Sequence, residues 1–206
     1  MSWAHGLVGR DAEFDLATTA LRQLSEDRAS ALVIEGPAGI GKTRLVESVI
    51  DHARSQGVAV FRGQAHPFGR NRPFGMMASA LGVDRRSSDP PRAAIAALLT
   101  GEGASPSAVF ADIQYRVVEQ ILDFVETACV QGPALLVAED IHWADSSSLL
   151  AILTLIRQLP LAPLLVVVTA RPSPLPVETI HLLDDMLALG VVPTRVVDME
   201  RACLLV

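Results

Sequence analysis

One glycine-rich stretch of the sequence carries the residue types that bind polyphosphates. The octapeptide Gly36-Pro37-Ala38-Gly39-Ile40-Gly41-Lys42-Thr43 fits the pattern G-x-x-x-x-G-K-[ST]. Glycines at this spacing let backbone N–H groups turn inward around an anion, and a helix that begins near Lys42 directs its positive dipole end at the same anion. Lys42 is expected to reach the β and γ phosphates, and the Thr43 hydroxyl to hold Mg²⁺. We predict a nucleotide-binding site; the alternative is a glycine-rich turn that caps an unrelated helix.

Two acidic residues follow an apolar run further along the chain. The run Ala134-Leu135-Leu136-Val137-Ala138 is typical of a strand buried on both faces, and Glu139-Asp140 come directly after it. In open α/β folds, ligands bind at the carboxyl ends of parallel strands. Beside a phosphate loop, one acid would bind Mg²⁺ and the other would orient water. Which acid has which role stays open, and a strand that ends in solvated acids is the alternative.

A second buried run, Leu164 to Val168, ends in Thr169-Ala170-Arg171-Pro172. A polar residue followed by an arginine at the end of such a strand could sense the terminal phosphate. A strand terminus with a solvent-facing arginine explains the pattern equally well. Thr169 and Arg171 are therefore candidate nucleotide contacts.

The elements that must position these residues form an α/β pattern. A strand (Ala31 to Glu35), the phosphate loop, a helix up to Arg54 and a second strand (Val58 to Phe61) predict a parallel pair with a right-handed crossover. Apolar spacing predicts further helices, and Arg195-Val196-Val197 is a candidate fifth strand. The predicted helices cover 11–27, 76–81, 92–99, 112–128, 146–159 and 177–189.

Composition bounds the class of protein. The net charge is −6 and the predicted pI is about 5.3, so no general affinity for DNA or anionic membranes is expected. Cys129 and Cys203 lie far apart and form no metal-type spacing. The N-terminus lacks signal-peptide features, and the apolar run from Leu161 to Ala170 is too short to span a membrane. We expect a soluble, cytoplasmic protein.

Other polar residues have ordinary structural explanations. Asp145 is expected to cap the helix that begins at Ser146. His142 and Trp143 are expected to pack under the loop rather than to orient the acids. The basic clusters Arg70-Asn71-Arg72 and Arg85-Arg86 are expected to be solvated loops.

Three blocks of the sequence, taken together, carry a family resemblance. They are Leu7-Val8-Gly9-Arg10-Asp11-Ala12-Glu13, then Gly36 to Thr43 with Arg44-Leu45, then Leu136-Val137-Ala138-Glu139-Asp140-Ile141-His142-Trp143-Ala144-Asp145. This combination resembles the nucleotide-binding domain of the signal-transduction ATPases with numerous domains, a branch near the AAA+ proteins. Within that branch it is most similar to the module of large LuxR-type, MalT-like transcriptional regulators.

The resemblance implies a P-loop NTPase three-layer sandwich with a five-stranded parallel sheet of order 5-1-4-3-2. It implies that Val8-Gly9-Arg10 packs near the adenine, that Arg171 lies near the terminal phosphate and that Arg44 belongs to the nucleotide site. ATP or ADP with Mg²⁺ would be the cofactor, and the nucleotide would switch how the domain docks on its neighbours. Protein partners or neighbouring domains, and oligomers in the ATP-bound state, are therefore expected, but no direct nucleic-acid or membrane binding by this segment.

The sequence departs from the family pattern in three places. The acids stand in the order Glu139, Asp140, whereas AAA+ proteins usually have Asp before Glu. The lid motif Gly-x-Pro is not matched by Gly190-Val191-Val192-Pro193, and Val206 ends the sequence where a helical lid and a winged helix would follow. We expect a single nucleotide-binding domain over 1–206, with an N-terminal helix over 7–30, a sheet core over 31–198, and no lid or effector domain.

Three functions are compatible with these features. The first is an ATP-binding, slowly hydrolysing switch module of a LuxR-type transcriptional regulator. The second is a catalytically active AAA+ ATPase related to origin-recognition or helicase-loader proteins, and the third is a non-catalytic interaction remnant. A small-molecule kinase is disfavoured, since lid arginines and a substrate pocket would then follow the phosphate loop.

Overall fold

A computed structural model describes residues 10–24, 29–101, 110–172 and 174–188. In chain order the helices are α1 (Asp11–Gln23), α2 (Lys42–Ser55), α3 (Gly75–Ala80), α4 (Pro90–Leu99), α5 (Phe110–Gln131), α6 (Ser146–Gln158) and α7 (Val177–Ala188). The strands are β1 (Ser30–Glu35), β2 (Ala59–Gln64), β3 (Ala134–Glu139) and β4 (Leu164–Ala170), and short 3-10 turns span Pro67–Gly69 and Ile141–Trp143. All the predicted helices are present, with ends that differ by a few residues.

The described strands form one parallel sheet in the order β1-β4-β3-β2. The placement of β4 between the phosphate-loop strand and the acidic strand agrees with the predicted order. The described part of the sheet has four strands rather than five, because the predicted strand Arg195–Val197 falls outside the described residues. The central strands β3 and β4 are buried along their whole length, which explains their unbroken apolar sequences.

Side chains alternate across the sheet and build two cores. Leu135 and Val137 of β3 pack with α1 and α2 on one face, and Leu136 and Ala138 pack with the other helices on the opposite face. The result is a three-layer arrangement, as predicted. Because the strands are parallel, the phosphate loop, Glu139 and the end of β4 all lie at the same edge of the sheet.

Helix α3 approaches β2 closely at Gly63. A Cβ added to Gly63 would lie 2.6 Å from the backbone oxygen of Met76 and 2.8 Å from the Cβ of Ala80. Only glycine therefore lets α3 seat against this strand. On the same face, the ring of Phe61 meets that of Phe124 of α5 edge to face, with the centroids 5.6 Å apart.

The predicted cap of α6 is confirmed. The Asp145 carboxylate accepts a hydrogen bond from the Ser148 backbone N–H at 2.8 Å. Among the described helices, none combines the length and apolar content that crossing a bilayer requires.

Candidate functional site

The phosphate loop has the backbone that its glycines predict. Gly39 and Gly41 have φ angles of +80° and +98°, a region that side-chain-bearing residues rarely occupy. The Gly36 N–H donates to the Ala170 backbone oxygen at 3.2 Å, which ties the start of the loop to the end of β4. A Cβ at Gly36 would lie 3.0 Å from Ile40 Cγ2. The three motif glycines therefore shape one tight loop before α2.

Lys42 is buried inside this loop. Its Nζ donates to the backbone oxygens of Gly36 (2.7 Å) and Pro37 (2.9 Å). Burial lowers the pKa of Lys42 and the Arg171 guanidinium lowers it further, whereas the Asp140 carboxylate opposes the shift. An ammonium has three N–H donors, so one remains for an anion in the loop.

An open cleft of about 720 Å³ lies in front of the loop. It joins the loop to the ends of β3 and β4, because Asp140 and Arg171 both face it. Its lining residues are Ala38, Gly39, Gly41, Lys42, Thr43, Arg44, Glu47, Ser48, Asp51, Asp140 and Arg171. Neither Glu139 nor Thr169 belongs to this lining.

Asp140 is held at the cleft by two neighbouring strands. Its backbone is left-handed (φ 54°, ψ 43°), a conformation that aspartate tolerates better than most residues. Its N–H donates to Thr169 Oγ1 at 2.9 Å, and its Oδ2 accepts from Gln64 Nε2 at 3.0 Å. Thr169 is itself buried. The structure therefore places Thr169 as a residue that positions Asp140, outside the cleft wall.

Glu139 is directed elsewhere. Its side chain is 2% exposed, and its Oε1 accepts a hydrogen bond from Arg62 Nε at 2.7 Å. The terminal Nη2 of Arg62 lies 3.8 Å from Oε1 of Glu47 on α2. The two acids thus differ: the charge of Glu139 is paired with an arginine, and Asp140 faces the cleft.

Arg10, the residue just before α1, contacts the phosphate loop. Its Nη2 lies 3.5 Å from the Ile40 backbone oxygen, and its Nη1 pairs with Glu13 at 3.1 Å. Arg10 is therefore next to the loop, while Val8 and Gly9 fall outside the described residues. The predicted contact of these three residues with adenine stays a prediction.

His142 is buried and Trp143 is half-buried against the hydrophobic core. His142 is 6% exposed, and neither ring nitrogen has a hydrogen-bond partner among the described residues. Burial lowers the pKa of His142; Asp140 opposes this shift, while Arg171, Lys42 and Arg70 add to it. Arg70 was predicted to be solvated; it is exposed, but it also donates to the His142 backbone oxygen (2.6 Å) and lies 5.0 Å above the Trp143 ring.

Sequence reasoning missed three side chains of this site. Arg62 and Gln64 occupy alternate positions of β2, and Gln64 is paired in register with Glu139. Glu47 lies one turn into α2 and faces the cleft. Polar residues at alternate positions near the end of β2 were a usable signal, but only strand order shows that they adjoin the acids.

The site offers suitable oxygen donors for Mg²⁺ but no complete cage. Thr43 and Asp140 both line the cleft, and the described residues contain no group of three or more His, Cys, Asp or Glu that could hold a metal. Mg²⁺ usually keeps few protein ligands and shares substrate phosphates. The residues therefore fit a magnesium ion that arrives with a nucleotide.

The fold is similar to that of a solved structure of another protein. Cdc6p from Pyrobaculum aerophilum matches 90% of this chain and 44% of its own, with a TM-score of 0.54 and 13% identity, and at that identity the likeness shows the fold alone. Drosophila ORC bound to DNA matches 82% of this chain and 38% of its own, with a TM-score of 0.48 and 18% identity.

One curated relative is the uncharacterized protein R02095 of Rhizobium meliloti (strain 1021). The alignment is 27% identical over a length of 196 residues. It covers 81% of this chain and 19% of the relative. This chain thus spans about a fifth of that relative's length.

The family profile described as "AAA ATPase domain" matches residues 6–167, well over half of the chain. The match includes the phosphate loop, both acids and most of β4. Nucleotide binding, typically with Mg²⁺, is a property of this family, and it agrees with the cleft described above. The chain therefore belongs to the AAA ATPase domain family.

Proposed function

We propose that this chain is an ATP-binding switch module that hydrolyses ATP slowly. The observation that carries the proposal is the single cleft that brings the phosphate loop together with Asp140 and Arg171. The second acid, Glu139, is paired with Arg62 instead. The site thus has the groups that bind a nucleotide, and one acid in place to act on water.

The phosphate loop would hold the nucleotide through its backbone N–H groups and through Lys42. Arg44 and Arg171 would add positive charge on either side, and Arg10, just before α1, would support the loop. Thr43, which lines the cleft, would hold Mg²⁺. When bound, Mg-ATP would supply the phosphoanhydride bond that is cleaved and the metal charge that stabilises the ADP leaving group.

Asp140 is the residue that we assign to orienting water. Its carboxylate faces the cleft, whereas the Glu139 carboxylate is buried against Arg62. Gln64 Nε2 already donates a hydrogen bond to one carboxylate oxygen of Asp140. An aspartate side chain is also shorter than a glutamate side chain. Both features favour slow turnover, which suits a switch whose nucleotide state persists.

The regulatory context of this module rests on the sequence. The three blocks that resemble LuxR-type, MalT-like regulators support a role in transcriptional signalling, with the whole chain acting as one nucleotide-binding domain. Neighbouring domains, or other copies in the ATP-bound state, would be the partners. The net charge of −6 supports the expectation that this segment does not itself bind DNA. Such a module would act in the cytoplasm, where ATP is available.

A catalytically active AAA+ ATPase, related to origin-recognition or loader proteins, fits the family and the fold about as well. Asp140 and Arg171 favour it, because both face the same cleft as the loop. The two functions differ in rate. Turnover near one per second or faster would support the active ATPase, and tight Mg-ATP binding with far slower turnover would support the switch. If the chain does not bind Mg-ATP at all, the remaining function is that of a non-catalytic interaction remnant.

A further inference from the structure

A second cavity lies beside the phosphate-loop cleft and has no lining residue in common with it. It encloses about 460 Å³ between the end of β2, helix α3 and the segment that follows β3. Its polar side chains belong to Arg62, Gln64, His66, Arg72, Ser79 and Asp145, and Trp143 forms part of its wall. The proposed nucleotide function makes no use of this space.

The cavity lining contains two arginines and one acid, and Arg62 is already paired with Glu139 outside the lining. Among its described lining residues, Asp145 is the one acid, and it is 4% exposed. Its carboxylate accepts hydrogen bonds from the Phe74 N–H (2.7 Å), the Ser148 N–H (2.8 Å) and the Ser148 hydroxyl (2.7 Å). Those neutral donors satisfy the carboxylate oxygens, and Asp145 forms no ion pair with either cavity arginine among the described residues.

The two cavity arginines keep free donors. Arg72 is exposed and forms no ion pair or side-chain hydrogen bond with any described residue. Arg62 uses its Nε for Glu139, but a guanidinium has five N–H donors, so others remain available. Planar guanidinium groups match the paired oxygens of carboxylates and phosphates.

We propose that this cavity binds a small anion bearing carboxylate or phosphate groups, held by Arg62 and Arg72. Gln64 and Ser79 would serve as neutral partners, and Trp143 would pack against the rest of the ligand. The volume suits a small metabolite. This site is distinct from the nucleotide cleft, and the proposal does not depend on the ATP function.

Trp143 provides a direct reporter for the test. The chain has two tryptophans, so Trp3→Phe leaves Trp143 as the only tryptophan. Succinate and inorganic phosphate would each be titrated at constant ionic strength, without nucleotide, while Trp143 fluorescence is recorded. We expect a saturable change with at least one of them, and the more effective anion identifies the ligand chemistry.

Variants decide whether the response comes from this cavity. Arg72→Ala is expected to weaken binding about tenfold or more, the usual effect of losing a charged hydrogen bond. Arg72→Lys, which keeps the charge, should lose less, and Arg54→Ala, which removes an exposed arginine from the far end of α2, should stay within about twofold. The proposal is overturned by no saturable response to either anion, by a response that survives Arg72→Ala, or by equal weakening in Arg54→Ala.

Discussion

Arg62 and Glu139 lie 77 positions apart in the sequence, and their side chains meet at 2.7 Å near the ends of adjacent strands. This ion pair gives the two acids of the site different environments. Glu139 is buried against a strand partner, and Asp140, the next residue, faces the phosphate loop. The account of slow hydrolysis depends on this division.

The division predicts that removing the Glu139 charge affects stability, whereas removing the Asp140 charge affects turnover. Glu139→Gln should lower the free energy of unfolding by about 1–2 kcal/mol, because it weakens a charged hydrogen bond whose arginine, 38% exposed, can be rehydrated. Asp140→Asn should change stability by less than about 0.5 kcal/mol, since asparagine also tolerates the left-handed backbone. The same change should lower ATP turnover about 100-fold or more.

Urea denaturation and phosphate release measure these two effects on the same samples. Binding of Mg-ADP serves as the control that each variant keeps its cleft. A loss of stability in Asp140→Asn with none in Glu139→Gln would show that the roles of the two acids are reversed.

The close contact between β2 and α3 predicts the effect of one added methyl group. Gly63→Ala places a Cβ 2.6 Å from the Met76 backbone oxygen, so α3 must shift. We expect a loss of about 1–3 kcal/mol in the free energy of unfolding. The matched control is Gly69→Ala, where nothing lies within 4 Å of the added atom and the effect should be within about 0.5 kcal/mol. Equal urea midpoints for the two variants would contradict the packing of α3.

His142 predicts a pH dependence of stability. Its pKa in the folded chain lies below the ordinary value of 6.5, mainly because of burial. The unfolded chain therefore takes up the proton first, so this contribution to stability is complete above about pH 6.5 and is lost as the pH falls towards the folded pKa. His142→Gln should reduce the loss of stability between pH 7.5 and 5.5.

The control for this pH effect is His181→Gln, which removes an exposed histidine of α7. Urea unfolding midpoints measured at several pH values give the slope of stability against pH for each variant. If His142→Gln and His181→Gln keep the same slope as the parent chain, burial of His142 is not the cause.

Much of the fold followed from local patterns. The unbroken apolar run before Glu139 marked a central strand, and the octapeptide that ends in Thr43 marked the loop and the start of α2. Asp145 was recognised as a cap because the three serines that follow it begin an amphipathic helix. In each case the signal lies within a few residues and reflects burial or backbone geometry.

The pairing of Arg62 with Glu139 could not be predicted in this way. It depends on which strand lies beside β3 and on the register that sets Gln64 against Glu139. The approach of α3 at Gly63 likewise depends on a tertiary contact, because a glycine within a strand is compatible with a bulge as well as with close packing. The roles of the two acids became distinct only when the neighbouring strand was known.

The central claim is that the cleft at Lys42 binds Mg-ATP and turns it over slowly, and one calorimetric titration with a parallel turnover assay tests it most directly. The parent chain, Lys42→Ala and the matched control Arg54→Ala would be compared. The account predicts saturable Mg-ATP binding by the parent and by Arg54→Ala, at least about 100-fold weaker binding by Lys42→Ala, and turnover far below one per second. Binding that Lys42→Ala leaves unchanged, or no binding by the parent chain, would contradict it.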